Sequence, residues 1–154
     1  MARKKKKSSV TGQLVLAARS ARTALMHDLD DVGLYPGQDS VLVAIGEEDG
    51  ISLRDLAEKL AVRPPTVTKT IARLVGQGLV EKRASENDLR QSRAFLTVAG
   101  QAAVEDVKRA QKSLERRALG GFSPKERKNF RRYLMRIREN LGAAGAAELT
   151  DAED

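Results

Sequence analysis

With 154 residues, the chain is sized for one domain, or for a small module with a helical companion, and it is long enough to bury a real core. Its 28 Lys and Arg against 21 Asp and Glu give a net charge of +7, which makes polyanions the partners to test. The lack of cysteine excludes a disulfide, a thiolate metal site and thiol-based peroxide sensing, and no apolar run approaches the ~20 residues of a membrane span.

The basic start is not followed by a signal-type apolar segment, so a soluble, cytoplasmic protein with no membrane partner is expected. Charge is unevenly placed. Arg3, Lys4, Lys5, Lys6 and Lys7 supply five of the positive charges, leaving the body at only +2, whereas Glu148, Asp151, Glu153 and Asp154 make the other end acidic. Residues 1–10 are expected to form a disordered basic tail able to hold phosphates, and residues 143–154 a flexible acidic one.

After the basic tail, Leu14, Ala18, Ala21, Leu25, Leu29 and Val32 recur at steps of four and three, predicting one long helix with a single apolar stripe. A break over residues 33–37 precedes a short helix from about Pro36, with Val41, Leu42 and Ile45 inward, and residues 46–50 read as a loop.

Ser52 then caps a helix whose Leu53, Leu56, Ala57 and Leu60 share one face, with Asp55 placed to return the cap bond. A turn at Ala61, Val62 and Arg63 leads to Pro64 and Pro65, which open a second helix with Val67, Ile71, Leu74 and Val75 inward. Its outward residues, Pro65, Thr66, Thr68, Lys69, Ala72 and Arg73, are small, hydroxylic or cationic. A helix that enters the major groove needs a slim leading end that can bond base edges and phosphates, and this face provides one.

Gly76 and Gly78 introduce a strand-like run from Leu79 to Arg83, a polar stretch over residues 84–92, and a return strand from Arg93 to Thr97. Asp88 and Arg90 near the tip, with Lys82, Arg83 and Arg93 on the arms, concentrate charge where a hairpin would meet DNA backbone or the minor groove. From Thr97 the chain turns helical again, with Val104, Val107 and Leu114 on one side, until Gly120 and Gly121. Ser123, Pro124 and Glu126 then announce a final helix, along which Phe130, Leu134, Ile137 and Leu141 form a coiled-coil-like seam.

The stretch SLRDLAEKLAVRPPTVTKTIARLVGQGLVEKR, followed by DLRQSRAFLTVAG, resembles the helix-turn-helix and wing of the MarR family of transcriptional regulators, and the resemblance covers residues 12–141. It implies a mainly α fold with a small β-wing, in which a winged helix-turn-helix over residues 51–97 is flanked by N-terminal (11–50) and C-terminal (98–142) dimerisation helices. It further implies a homodimer that binds double-stranded DNA at a pseudo-palindromic operator, as a repressor released by a small aromatic or phenolic effector. Asp88 and Arg90 resemble the aspartate that orders the wing and the arginine that reaches the minor groove, although Leu89 stands where the family often has a further arginine. The expected DNA-binding residues are Arg63, Pro65, Thr66, Thr68, Lys69, Arg73, Lys82, Arg83, Asp88, Arg90 and Arg93.

An enzyme is not expected, nor any cofactor or metal. His27 is the single histidine, it has no cysteine to pair with, and the glycines form no phosphate-binding loop. Met26, His27 and Tyr35 lie near the junction where the resemblance implies an effector, but none is assigned to it. The competing reading is a winged helix used as a protein-interaction or structural module without specific DNA binding.

Overall fold

Capping and periodicity account for most elements. The computed structural model describes residues 9–88 and 90–150, with side chains as far as residue 142, so most of the basic tail and the last four residues of the acidic one lie outside it. The chain divides into two units, residues 1–115 and 116–154.

In the first unit, the Ser9 hydroxyl accepts the Gly12 amide and starts α1 (Val10–Asp28). The expected helix is shorter than its apolar stripe, because Asp30–Val32 tighten into a 3-10 turn. Leu25 and Leu29 are buried while Ala18 is exposed, and Val15 and Leu16 also stand in solvent, so only the C-terminal end of α1 serves the core. Helix α2 (Gln38–Glu47) starts two residues after Pro36 and buries Val41, Leu42 and Ile45 as expected. Beside them, the Asp39 carboxylate is 1% exposed and accepts Arg22 Nη1 at 2.8 Å and the Gly37 amide at 3.2 Å. A buried carboxylate requires such partners, and this one ties α1 to α2.

Two residues, Ile51–Ser52, form a strand (β1) that is too short to leave an alternating pattern in the sequence. Ser52 also caps α3 (Leu53–Leu60), its hydroxyl accepting the Asp55 amide at 3.0 Å and donating to Asp55 Oδ2 at 2.7 Å. After the turn comes α4 (Pro64–Gly76), which buries Val67, Ile71 and Leu74. Val75, expected inward, is 41% exposed. At ~100° per residue it sits about 80° round from Val67, on the edge of the stripe that the other three centre.

The hairpin of β2 (Val80–Ala84) and β3 (Ser92–Leu96) pairs Val80 with Leu96 and Ala84 with Ser92, and β1 joins the other edge of β3 to give an antiparallel sheet of order β1-β3-β2. Helix α5 (Val98–Ala118) is seated on the α4–β2 turn. The Thr97 hydroxyl donates to Gly78 O at 2.7 Å, the Thr97 amide to Leu79 O at 3.1 Å, and the Gly100 amide to the Thr97 hydroxyl at 3.0 Å. Because Ala103, Val104, Val107 and Ala110 then enter the same core as α2 and α4, the division of the chain falls within α5 and not at its start.

The second unit is dominated by α6 (Pro124–Thr150). Its start is the expected capping box: the Ser123 amide donates to Glu126 Oε2 at 2.7 Å, and the Glu126 amide donates to Ser123 Oγ at 3.3 Å. The hydrogen bonds from the Ser123 amide and then its hydroxyl hold the Glu126 carboxyl below the usual carboxylate range. The helix continues past Gly142 to Thr150 through Ala143, Ala144, Ala146 and Ala147, strong helix formers that offset the two glycines among them. Of the expected seam, Leu134 and Ile137 are half-buried and Phe130 and Leu141 exposed, with Tyr133 and Met135 also in solvent. No helix among the described residues is long and apolar enough to cross a membrane.

Candidate nucleic-acid interface

The turn between α3 and α4 is closed by Ala61 in the left-handed conformation (φ 52°), with the Ala61 amide on Glu58 O at 3.1 Å and the Val62 amide on Ala57 O at 3.0 Å. It delivers Arg63, exposed and with no side-chain cap bond, as the N-cap of α4. Pro64 and Pro65 supply no amide hydrogens, and the Thr66 amide turns back to Arg63 O at 3.0 Å. The first turn of α4 therefore has few amides to offer an anion, and phosphate binding here falls to side chains.

Those side chains are present. Pro65, Thr66, Thr68, Lys69 and Arg73 are all exposed, as expected from the face opposite Val67, Ile71 and Leu74. The Thr68 hydroxyl donates to Pro64 O at 3.1 Å and that of Thr70 to Thr66 O at 2.9 Å. Thr68 thus keeps a methyl group and an acceptor lone pair for a partner, having spent its donor on the helix. Arg63, Thr66, Lys69 and Arg73 make no side-chain hydrogen bond or ion pair among the described residues.

At the hairpin tip, the Ser85 amide bonds Gln91 O at 2.8 Å and the Gln91 amide bonds Asp88 O at 2.9 Å. Asp88 Oδ1 accepts the Arg90 amide at 2.9 Å, an aspartate turn that holds the backbone while Arg90 remains exposed. Leu89 lies outside the described residues. Lys82 is exposed on β2.

Two of the expected arginines have partners of their own within the hairpin and its neighbours. Arg93 does not stand free on the hairpin arm: its Nη1 donates to Gly50 O at 2.8 Å, half-buried, because β1 brings the residue-50 corner against β3. Arg83 pairs with Glu81 at 2.6 Å and lies 4.5 Å over the Phe95 ring. Both pair within the sheet region, and Gly50 sits at φ 77°, a conformation that L side chains rarely adopt, with an added Cβ 2.9 Å from Phe95 Cε1.

Two helices joined by a three-residue turn, followed by a charged hairpin on a three-stranded sheet, define a winged helix-turn-helix domain. Residues 34–92 match the model of the MarR family. It is 27% identical over 134 residues to the uncharacterized HTH-type transcriptional regulator YybA of Bacillus subtilis (strain 168), covering 87% of this chain and 89% of the relative. The crystal structure of the transcriptional regulator SlyA superposes with a TM-score of 0.84 at 24% identity, over 89% of this chain and 96% of that one. A MarR family regulator from Listeria monocytogenes, crystallised with a 26mer DNA, superposes with a TM-score of 0.83 at 24% identity, over 89% and 91% of the two chains. At that identity the two structures establish the fold.

Proposed function

We propose that the chain is a homodimeric, sequence-specific DNA-binding transcriptional regulator that reads a pseudo-palindromic operator. The observation that carries this reading is the uncommitted surface of α4, where Arg63, Thr66, Lys69 and Arg73 are exposed and free of internal partners among the described residues. Two such helices would enter successive major grooves on one face of the duplex, about one helical turn apart. Arg90, held out by the Asp88 turn, would reach the adjacent minor groove. Thr66, Thr68 and Lys69 would contact bases and phosphates, with Pro65 against the groove wall and Arg63, Arg73 and Lys82 on the backbone. Arg83, Asp88 and Arg93 act by shaping the wing. In this proposal the protein is a cytoplasmic repressor, released by a small aromatic or phenolic effector.

A dimer is supported by the apolar side chains left in solvent, Val15 and Leu16 on α1 and Phe130, Met135 and Leu141 on α6. Sedimentation at micromolar concentration is expected to show a dimer, and a monomer alone would remove the two-headed mode of reading.

The DNA-binding mode is tested by selecting bound genomic fragments and titrating the preferred duplex at several salt concentrations. Affinity should fall steeply with salt as neutralised phosphates release counterions. Arg90→Ala should weaken binding by about 1–3 kcal/mol with an unchanged melting temperature. If no fragment is preferred and salt has no effect, the fold serves as a protein-docking module instead.

A further inference from the structure

One polar chain links the end of α4 to the helices behind it. Gln38, the first residue of α2, is 2% exposed, and Gln77 is the C-cap of α4. The Tyr35 amide donates to Gln38 Oε1 at 2.9 Å, Gln38 Nε2 donates to Gln77 Oε1 at 2.7 Å, and Gln77 Nε2 donates to Gly33 O at 3.2 Å. The chain begins at a backbone N–H and ends at a backbone carbonyl, so neither end can change polarity. Inverting either glutamine amide would set oxygen against oxygen or N–H against N–H, which leaves a single arrangement that satisfies both.

Both ends of the chain return to residues 33–37. The far end of that loop is held by the Asp39 carboxylate, which takes the Gly37 amide on one oxygen and Arg22 of α1 on the other. Side chains thus join α1, the start of α2 and the C-terminal end of α4, while Pro65, Thr66, Thr68 and Lys69 face outward from its N-terminal half.

The apolar stripe of Val67, Ile71 and Leu74 holds α4 down but is non-directional, so it tolerates small rotations. Hydrogen bonds at the C-cap do not. Thr66 lies ~16 Å along the axis from Gln77, so a tilt of about 5° at the cap would move it by ~1.4 Å, more than a base-edge hydrogen bond accommodates.

We propose that Gln38 and Gln77 are positioning residues, a clamp that sets the pitch at which α4 meets a base sequence. The proposal rests on the DNA-reading function and adds to it two residues that touch no DNA.

The test uses the full chain with Gln77→Met, which keeps the length of an exposed side chain and removes both of its hydrogen bonds. In the free protein, hydrogen exchange at the amides of residues 76–79 should accelerate by about tenfold, as expected for losing a net stabilisation of this size. On DNA, binding to the selected duplex should weaken by about tenfold, while binding to a random-sequence duplex stays the same because phosphate contacts survive a tilt. Gln38→Met should reproduce the affinity loss, and the double variant should add nothing to it.

Unchanged exchange would overturn the clamp. Unchanged affinity for the selected duplex, equal losses on both duplexes, or fully additive losses would overturn the positioning role. A wild-type protein with no sequence preference would instead overturn the DNA-reading function and the positioning role with it, the exchange measurement still deciding whether the clamp exists.

Discussion

Gly100→Ala is expected to lower the stability of the protein by about 3 kcal/mol, a large share of the roughly 5–15 kcal/mol that holds a domain folded. The cause is contact with backbone. A Cβ on Gly100 would fall inside the radius of Leu79 O and 3.0 Å from Leu79 C, and neither atom can rotate away. Leu79 O is also occupied by the Thr97 amide and is therefore anchored from both sides. Against this stands the helix propensity of alanine, worth up to ~1 kcal/mol over glycine, which is too small to offset the clash. The matched control is Gly142→Ala in α6, where an added Cβ meets nothing within 4 Å and the propensity gain should appear alone. Urea titrations of both variants check the pair through their midpoints. A Gly100→Ala midpoint equal to wild type would mean that α5 stands further from the α4–β2 turn than these distances require.

Leu74→Ala is expected to cost about 2–5 kcal/mol, the range for truncating a fully buried leucine whose neighbours close only partly over the gap. Leu74 is 0% exposed and sits in the core with Ile71, Leu56 and Val80. The loss should show as a lower calorimetric melting temperature. At a temperature where the variant is still folded, its DNA affinity should drop far less than that of Arg90→Ala, which should show the reverse pattern. A variant that melts normally but loses DNA affinity would mean that α4 is rotated about its axis, with Leu74 turned out of the core and into the groove.

Much of the fold was readable from local chemistry. The Ser52 and Ser123 caps, the paired prolines at the start of α4 and the glycines after α5 each act within a few residues, and the structure shows them where the pattern implies. The outward face of α4 followed from the positions of Val67, Ile71 and Leu74. At the wing, Asp88 holds the Arg90 amide two residues on, a local bond compatible with the wing-ordering aspartate that the family resemblance implied.

Errors arose where a residue's partner is distant in sequence. Val75 belongs to the same helical pattern as Leu74, but the core ends just short of it, and periodicity does not report the width of a groove. Strand β1 exists only because β3 lies beside it. Arg93 reads as a basic residue on a hairpin arm, and its hydrogen bond to Gly50, 43 positions away, appears only in three dimensions.

The sequence by itself determined the order and type of the main helices, the winged hairpin and the face of α4 that meets solvent, because caps, turns and periodicity are short-range effects. Only the tertiary structure decided which charged and amide side chains are consumed internally. Arg22 with Asp39, Gln38 with Gln77 and Arg93 with Gly50 are each paired across 17 or more residues. A hydrogen bond depends on where two groups meet in space, and no local rule carries that information.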